Sequence, residues 1–304
     1  MPLSPGRLVT LPLSGLRVAL DEDGDPNGLP VFFFHGWPAS RLQGAGFGLA
    51  ARELGIRLLS PDRPGVGFSS LQAGRRLLDW PPVVREVAEQ LGLERFRILA
   101  VSGGGPYALA TAYALPERIE RVVVVSGAPP LGPEVDKKKL LAVYRWLLAI
   151  YRHQPGILRQ LFRLARPLAT LRPPRWIWPL LLRFVPPEDR KSLRDPAVFE
   201  GSFGCYKEAW RSGSEGVVSD AEVYAQNWGF APEAIKVPIR LWHGKADASF
   251  SWHLAEELAA SLPRCETRFI EGEGHYSLPI RYKREILEDL LSLEGDAPPA
   301  LPTI

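Results

Sequence analysis

Ala100-Val101-Ser102-Gly103-Gly104-Gly105 places a serine among small residues where an apolar run hands over to a helical pattern. A sharp strand-to-helix turn holds its central residue at a strained backbone angle, and the positions two to either side must be small. Ala100 and Gly104 meet that demand, so Ser102 is a candidate nucleophile on a nucleophile elbow, with alanine where such turns often carry a first glycine. The competing reading is a glycine-rich phosphate-binding turn. A serine hydroxyl needs a base to take its proton and a third group to orient that base, so the partners discriminate. Of the five histidines, His35 and His243 each end an apolar run and read as loop-organising. His153 sits beside Arg152 and reads as solvated, and His253 lies on a predicted helix. His275 follows the last predicted strand in Glu271-Gly272-Glu273-Gly274-His275-Tyr276, a flexible loop from which a base can swing over a sheet edge. Asp247, in Gly244-Lys245-Ala246-Asp247, follows the preceding strand and is the candidate acceptor of the His275 Nδ1 hydrogen; Asp62 reads as tying its own turn and Asp79 as a helix cap. A tetrahedral intermediate needs two preorganised donors. The Gly103 backbone N–H opens a helix and supplies one, and Trp37, after the apolar run 31–34, is the candidate for the other.

The elements that must position these groups follow from periodicity. Residues 7–13 and 16–20 read as a hairpin, and 31–34, 56–60, 96–101 and 121–125 as buried strands separated by helical patterns at 49–55, 77–91 and 106–115. Such alternation implies a parallel sheet covered by helices on both sides. It stops after Val125 and resumes with strands at 237–242 and 267–270 and helices at 252–262 and 281–293. We therefore expect a core of residues 1–130 and 235–304, interrupted by a mostly helical subdomain over 131–234. The last stretch, 295–304, carries three prolines and reads as a fraying tail.

His35-Gly36-Trp37-Pro38, Asp62-Arg63-Pro64-Gly65-Val66-Gly67, Ser102-Gly103-Gly104-Gly105-Pro106, Gly244-Lys245-Ala246-Asp247 and Gly274-His275 together resemble the α/β-hydrolase superfamily, over essentially the whole chain outside the interruption. The resemblance implies an α/β-hydrolase fold: an eight-stranded, mostly parallel sheet with helices on both faces and a helical cap, or lid, inserted after the sixth strand. It implies Ser102, Asp247 and His275 as a triad, in the chain order of that fold. It also implies Trp37 and Gly103 as the oxyanion hole, with no metal or organic cofactor. Epoxide hydrolases and haloalkane dehalogenases are similar around His-Gly-Trp-Pro but carry aspartate where Ser102 stands. Proline iminopeptidases carry Gly-Gly-Ser-Trp-Gly, from which Ala100–Gly104 departs. The expected activity is cleavage of a small-molecule carboxylic ester with a hydrophobic acyl or alcohol group through an acyl-enzyme. Cofactor-free perhydrolases and haloperoxidases, carbon–carbon bond hydrolases, and non-catalytic ligand receptors on the same fold stay open.

The net charge of +3 is too small an excess for nucleic-acid binding. It hides an excess of +11 over residues 137–191, where Arg159, Arg163 and Arg166 recur at i, i+4 and i+7 among Trp146, Trp176 and Trp178. One reading has arginine stems snorkelling over a lid whose apolar side closes the pocket. The other is a membrane-facing surface that meets anionic lipid, or a site for an acidic substrate. Prolines at 155, 167, 173, 174 and 179 interrupt any long helix and favour the first. Trp37, Phe68, Tyr107, Trp146, Tyr206 and Trp228 are candidate pocket aromatics. Two cysteines exclude a disulfide framework and a cysteine-based zinc cage. The segment Met1-Pro2-Leu3-Ser4-Pro5-Gly6-Arg7 lacks the apolar core of a secretory signal, so a cytoplasmic protein is expected.

Overall fold

The computed structural model describes residues 6–132 and 135–292; the proline-bearing stretch 295–304 lies outside them. Eight strands form one sheet: β1 (Arg7–Thr10), β2 (Arg17–Gly24), β3 (Leu29–Phe34), β4 (Ile56–Pro61), β5 (Phe96–Val101), β6 (Ile119–Val125), β7 (Ile239–Gly244) and β8 (Cys265–Ile270). Their order is β1-β2-β4-β3-β5-β6-β7-β8. β2 runs antiparallel to β1 and β4, and every other pairing is parallel. The carboxyl ends of β3 to β8 therefore share one edge, where loops carry function in open α/β sheets.

The strand sequences explain their burial. Phe32 and Phe34 join the apolar layer on one face and Phe33 the layer on the other, as a two-residue period demands. The first layer is completed by α2 (Trp80–Gln90), α3 (Gly104–Ala114) and α10 (Trp252–Ser261), the second by α1 (Gly48–Glu53) and α12 (Lys283–Leu291). A five-residue helix, α11 (Ser277–Arg281), lies between β8 and α12. β2 extends to Gly24, beyond the 16–20 expected from its apolar residues. Asp21, Glu22 and Asp23 hide the strand pattern, yet their backbones ladder onto β4.

Between β6 and β7 the chain forms α4 (Ala142–His153), α5 (Pro155–Thr170), α6 (Trp178–Leu181), α7 (Pro187–Leu193), α8 (Pro196–Ala209) and α9 (Glu215–Tyr224). As expected, its prolines mostly mark helix boundaries: α4 ends just before Pro155 opens α5, and Pro173 and Pro174 lie between helices. Pro155, Pro179, Pro187 and Pro196 stand in first turns, where the missing N–H costs nothing, and Pro167 lies inside α5. No helix among the described residues is long and apolar enough to cross a membrane.

Candidate active site

Ser102 leaves β5 with φ of 53°, in the left-handed region where a non-glycine residue is strained. The strain is held from several sides. Its N–H donates to the Val125 carbonyl at 2.9 Å, and its carbonyl accepts from Gly105 at 2.9 Å and Ala128 at 3.0 Å. A side chain at Gly104 would collide with the Phe34 carbonyl, so the turn requires glycine there.

β5, β7 and β8 bring the three expected groups together. His275 Nε2 lies 2.9 Å from Ser102 Oγ, and His275 Nδ1 lies 2.8 Å from Asp247 Oδ2. All three are buried. Asp247 Oδ1 accepts the backbone N–H groups of Ser249 (2.7 Å) and Phe250 (3.1 Å), which fixes its plane. His243 approaches the same carboxylate at 3.2 Å while its Nε2 also lies 3.0 Å from the Phe250 carbonyl, so it braces this loop. Burial raises the Asp247 pKa, but the charge of His275 and hydrogen bonds from His243 and His275 outweigh it and hold the group well below the usual carboxylate range. Burial alone lowers the His275 pKa, yet the Asp247 carboxylate and its hydrogen bond win, and the imidazole titrates above its ordinary value.

Trp37 and Gly103 face the same space as Ser102. The loop before Trp37 is fastened by Arg63, whose guanidinium donates to the His35 carbonyl at 2.6 Å and the Gly36 carbonyl at 2.9 Å. Arg63 is in turn held by Asp220 of α9 through Nε at 2.8 Å. His35 is fully buried, and its pKa is lowered well below the ordinary value by burial and by Arg63, so it organises this loop as a neutral ring. The Tyr224 hydroxyl donates to the Gly103 carbonyl at 2.9 Å, steadying the second half of the arrangement.

Two cavities meet at Ser102 and Trp37. The smaller, about 50 Å³, is walled by apolar side chains of α4 and α5 with Leu131, Tyr224 and Phe250. The larger, about 420 Å³, runs past His275 between α8 and the 3-10 helix Arg41–Phe47, and includes Tyr206, Tyr276 and Lys283. Of the expected pocket aromatics, Trp37 and Tyr206 line these cavities. The other four are elsewhere. Phe68 lies under the guanidinium groups of Arg41 and Arg211. Tyr107 is fully buried, donates to Asp220 at 2.9 Å and accepts from Arg75 at 2.5 Å. Trp146 is 55% exposed on α4, and Trp228 stacks on Phe230 in the core. Which aromatics reach the walls depends on how the helices dock, and that brings Tyr144, Tyr151, Tyr224 and Phe250 there instead.

Three further residues escaped the sequence reading. Asp189 on α7 accepts the N–H groups of His275 (3.1 Å), Tyr276 (2.7 Å) and Ser277 (2.9 Å). Asp220 holds Arg63 and Arg75, and Tyr224 holds Gly103. Their only sequence signal is acids and a tyrosine in a helical stretch, which any solvated helix carries. Asp62 also differs from its reading as a residue of its own turn. Its carbonyl does accept from Ser69 at 3.0 Å, but its carboxylate binds the Arg41 backbone at 2.6 Å and guanidinium at 2.8 Å. Asp79 accepts the Arg76 N–H at 2.6 Å and caps the turn before α2.

This sheet, with a strained serine after its fifth strand and a histidine and a carboxylate after its last two, defines a hydrolase-type α/β architecture. The family model for the alpha/beta hydrolase fold matches residues 30–281, and the chain belongs to that family. It is 33% identical to the non-heme chloroperoxidase of Streptomyces lividans over 124 residues, 40% of this chain and 45% of that protein. It is 28% identical to the 2-hydroxymuconate semialdehyde hydrolase of Pseudomonas putida over 170 residues, 53% of this chain and 60% of that one. The matches thus span about half the length of these relatives. Among solved structures, the bromoperoxidase from Bacillus anthracis superimposes with a TM-score of 0.71 at 19% identity, covering 94% of this chain and 99% of that one. An esterase from Exiguobacterium antarcticum gives 0.68 at 18% identity, with 94% and 100% covered. These likenesses show the fold.

Proposed function

We propose that this hydrolase cleaves a carboxylic ester with a hydrophobic acyl or alcohol group through an acyl-enzyme on Ser102. The observation that carries the reading is the continuous line from Ser102 Oγ through His275 to Asp247, at 2.9 and 2.8 Å, opening onto an apolar cavity. His275 takes the hydroxyl proton as Ser102 attacks the carbonyl carbon. The Trp37 and Gly103 N–H groups receive the developing oxyanion, and His275 then protonates the departing alcohol. Water repeats the sequence on the acyl-enzyme, with His275 again taking the proton. The smaller cavity suits a short apolar chain, and the larger one leaves the other half of the substrate a wetter path.

The similarity to a chloroperoxidase and to a carbon–carbon bond hydrolase supports a second use of the same triad, with peroxide in place of water or a carbon leaving group in place of an alkoxide. A panel of p-nitrophenyl esters, a lactone, a peracid-forming assay and a ring-cleavage product separates these outcomes. Ser102→Ala is expected to lower kcat on the best substrate by on the order of 10⁴-fold or more, because triad members act as a unit. Near-wild-type turnover in that variant refutes the assignment. Labelling by a fluorophosphonate separates an enzyme from a non-catalytic receptor on the same fold.

A further inference from the structure

We propose that Asp189, carried on α7 and distant in sequence from the triad, is a positioning residue for the general base His275. Its carboxylate is 1% exposed and receives three successive backbone N–H groups, from His275, Tyr276 and Ser277. It enters a slot that the sequence keeps open, because a side chain at Gly274 would collide with its Oδ1. The loop from β8 to α11 therefore closes around an acid of the helical insertion. Hydrogen bonds to a charged acceptor are about twice as strong as neutral ones. Three of them on consecutive residues fix the backbone from which the imidazole projects. Catalytic groups must be held to about 0.5 Å, and a displacement of about 1 Å costs on the order of 10²-fold.

The proposal rests on the triad reading above, and the experiment keeps the two apart. Asp189→Asn keeps the shape but turns an N–H₂ toward backbone donors, and Asp189→Ala removes the acceptor. The His275 ring is faced by Asp247 from the loop after β7, by Ser102 after β5, and by Tyr276 beside it. Asp189 faces it from α7, and Tyr206 of α8 contacts Tyr276 behind it. Removing the Asp189 charge withdraws one of the influences that hold the His275 pKa up. With a p-nitrophenyl ester, both variants are expected to lose about 10- to 100-fold in kcat with KM changed by less than about threefold. The acid limb of kcat/KM should move to lower pH, which a purely structural loss would not produce. Glu188→Gln, on the same helix, should leave both unchanged. Turnover within twofold of wild type overturns the proposal, as does a loss that merely follows the folded fraction with the limb unmoved. Failure of both variants to fold would assign Asp189 to stability and equally overturn it. If Ser102→Ala stays active, the triad reading fails; if Ser102→Ala is inert and Asp189→Asn is normal, only the positioning role fails.

A separate observation lies on the outer side of α5. Arg159 and Arg163 turn toward α9 and pair with Glu222 and Glu215, and Arg166 donates to the carbonyls of Trp210 and Arg211. The exposed stripe is apolar instead: Ile157, Leu164 and Leu168, continued by Leu171, are 50% to 76% exposed at spacings of seven, four and three. Trp146 is exposed on the neighbouring α4, and Lys137, Lys138, Arg145 and Arg183 are exposed in the same segment. We infer that this face docks on an anionic phospholipid surface. Apolar stripes accompanied by exposed cations bind such interfaces, and the exposed Lys137, Lys138, Arg145 and Arg183 of this segment favour an anionic surface over a second copy carrying the same charges. The protein should sediment with phosphatidylglycerol vesicles at low salt and not with phosphatidylcholine vesicles. Leu164→Ser with Leu168→Ser should weaken binding about tenfold or more at unchanged esterase activity. No sedimentation with anionic vesicles overturns the inference, as does undiminished binding of the double variant. So does a dimer in solution that the double variant dissociates.

Discussion

His275 sits where burial and charge pull its protonation in opposite directions, and the Asp247 carboxylate prevails. A general base works only when neutral, so kcat/KM is expected to climb with pH through a value above the ordinary 6.5 of imidazole. Asp247→Asn removes both the charge and the acceptor that selects the tautomer, and should cost about 10⁴-fold in kcat while the acid limb falls. A pH–rate profile decides this: a wild-type limb at or below the ordinary imidazole value, or an unmoved limb in the variant, contradicts it. The same shift has a stability sign. Because the folded pKa is raised, protonated His275 stabilises the fold below the unfolded value, and that contribution is lost as pH rises through the folded one. The placing of Ser102, Asp247 and His275 together was legible because each follows the end of a strand, and a tight turn after a strand leaves a local trace such as Ser102-Gly103-Gly104. Asp189 left none. It meets His275 across 86 residues, and nothing in Pro187-Glu188-Asp189 distinguishes it from its exposed-type neighbour.

Strands and helices of the sheet were legible for the same local reason, since Phe32-Phe33-Phe34 or Val122-Val123-Val124-Val125 can satisfy two buried faces in few ways. The helices between β6 and β7 read as helical, but which face of each meets the site depends on how they dock. That is why Trp146 and Trp228 were expected in the walls while Tyr144, Leu147, Leu148 and Tyr151 of α4 make them. Leu148, 5% exposed, is one of the buried leucines lining the smaller cavity. Leu148→Ala should shift preference toward longer acyl chains, raising the hexanoate-to-acetate ratio of kcat/KM by about fourfold per methylene newly buried, at about 0.8 kcal/mol each. It should also destabilise the fold by about 2–5 kcal/mol. A chain-length series on both proteins checks it; an unchanged ratio would place the acyl group in the larger cavity.

At the scale of the whole molecule, the insertion is strongly basic along 137–191, yet Asp189, Glu208 and Asp220 of its helices are almost fully buried. Each ends on a core group: the His275 loop, Arg41, and the pair Arg63 and Arg75. These three acids point inward as anchors, while Glu200, Glu215 and Glu222 stay nearer the surface and pair with exposed arginines of 137–191, so part of the positive charge of that stretch is balanced within the insertion itself. Asp220 carries the largest load, since two buried guanidinium groups and the Tyr107 hydroxyl converge on it. Burial alone would raise its pKa, but Arg63 and Arg75 hold it far below the usual carboxylate range. A depressed folded pKa gives stability that is present above the unfolded value and lost as pH falls through the folded one, so this anchor should persist through pH 4. Asp220→Ala leaves both arginines buried without their carboxylate and should cost about 3–5 kcal/mol. For a chain of this size that is a fall of roughly 10 °C in Tm. Because Arg63 also fastens the His35 and Gly36 carbonyls ahead of Trp37, the folded variant should lose kcat as well. Adding Arg63→Met and Arg75→Met should restore much of the stability, since a buried ion network can be replaced by apolar side chains, but not the activity, because the Trp37 loop would still lack its fastening. Thermal melts and turnover on the single and triple variants separate the two effects. A single variant as stable as wild type would mean that the ion network does not anchor the insertion.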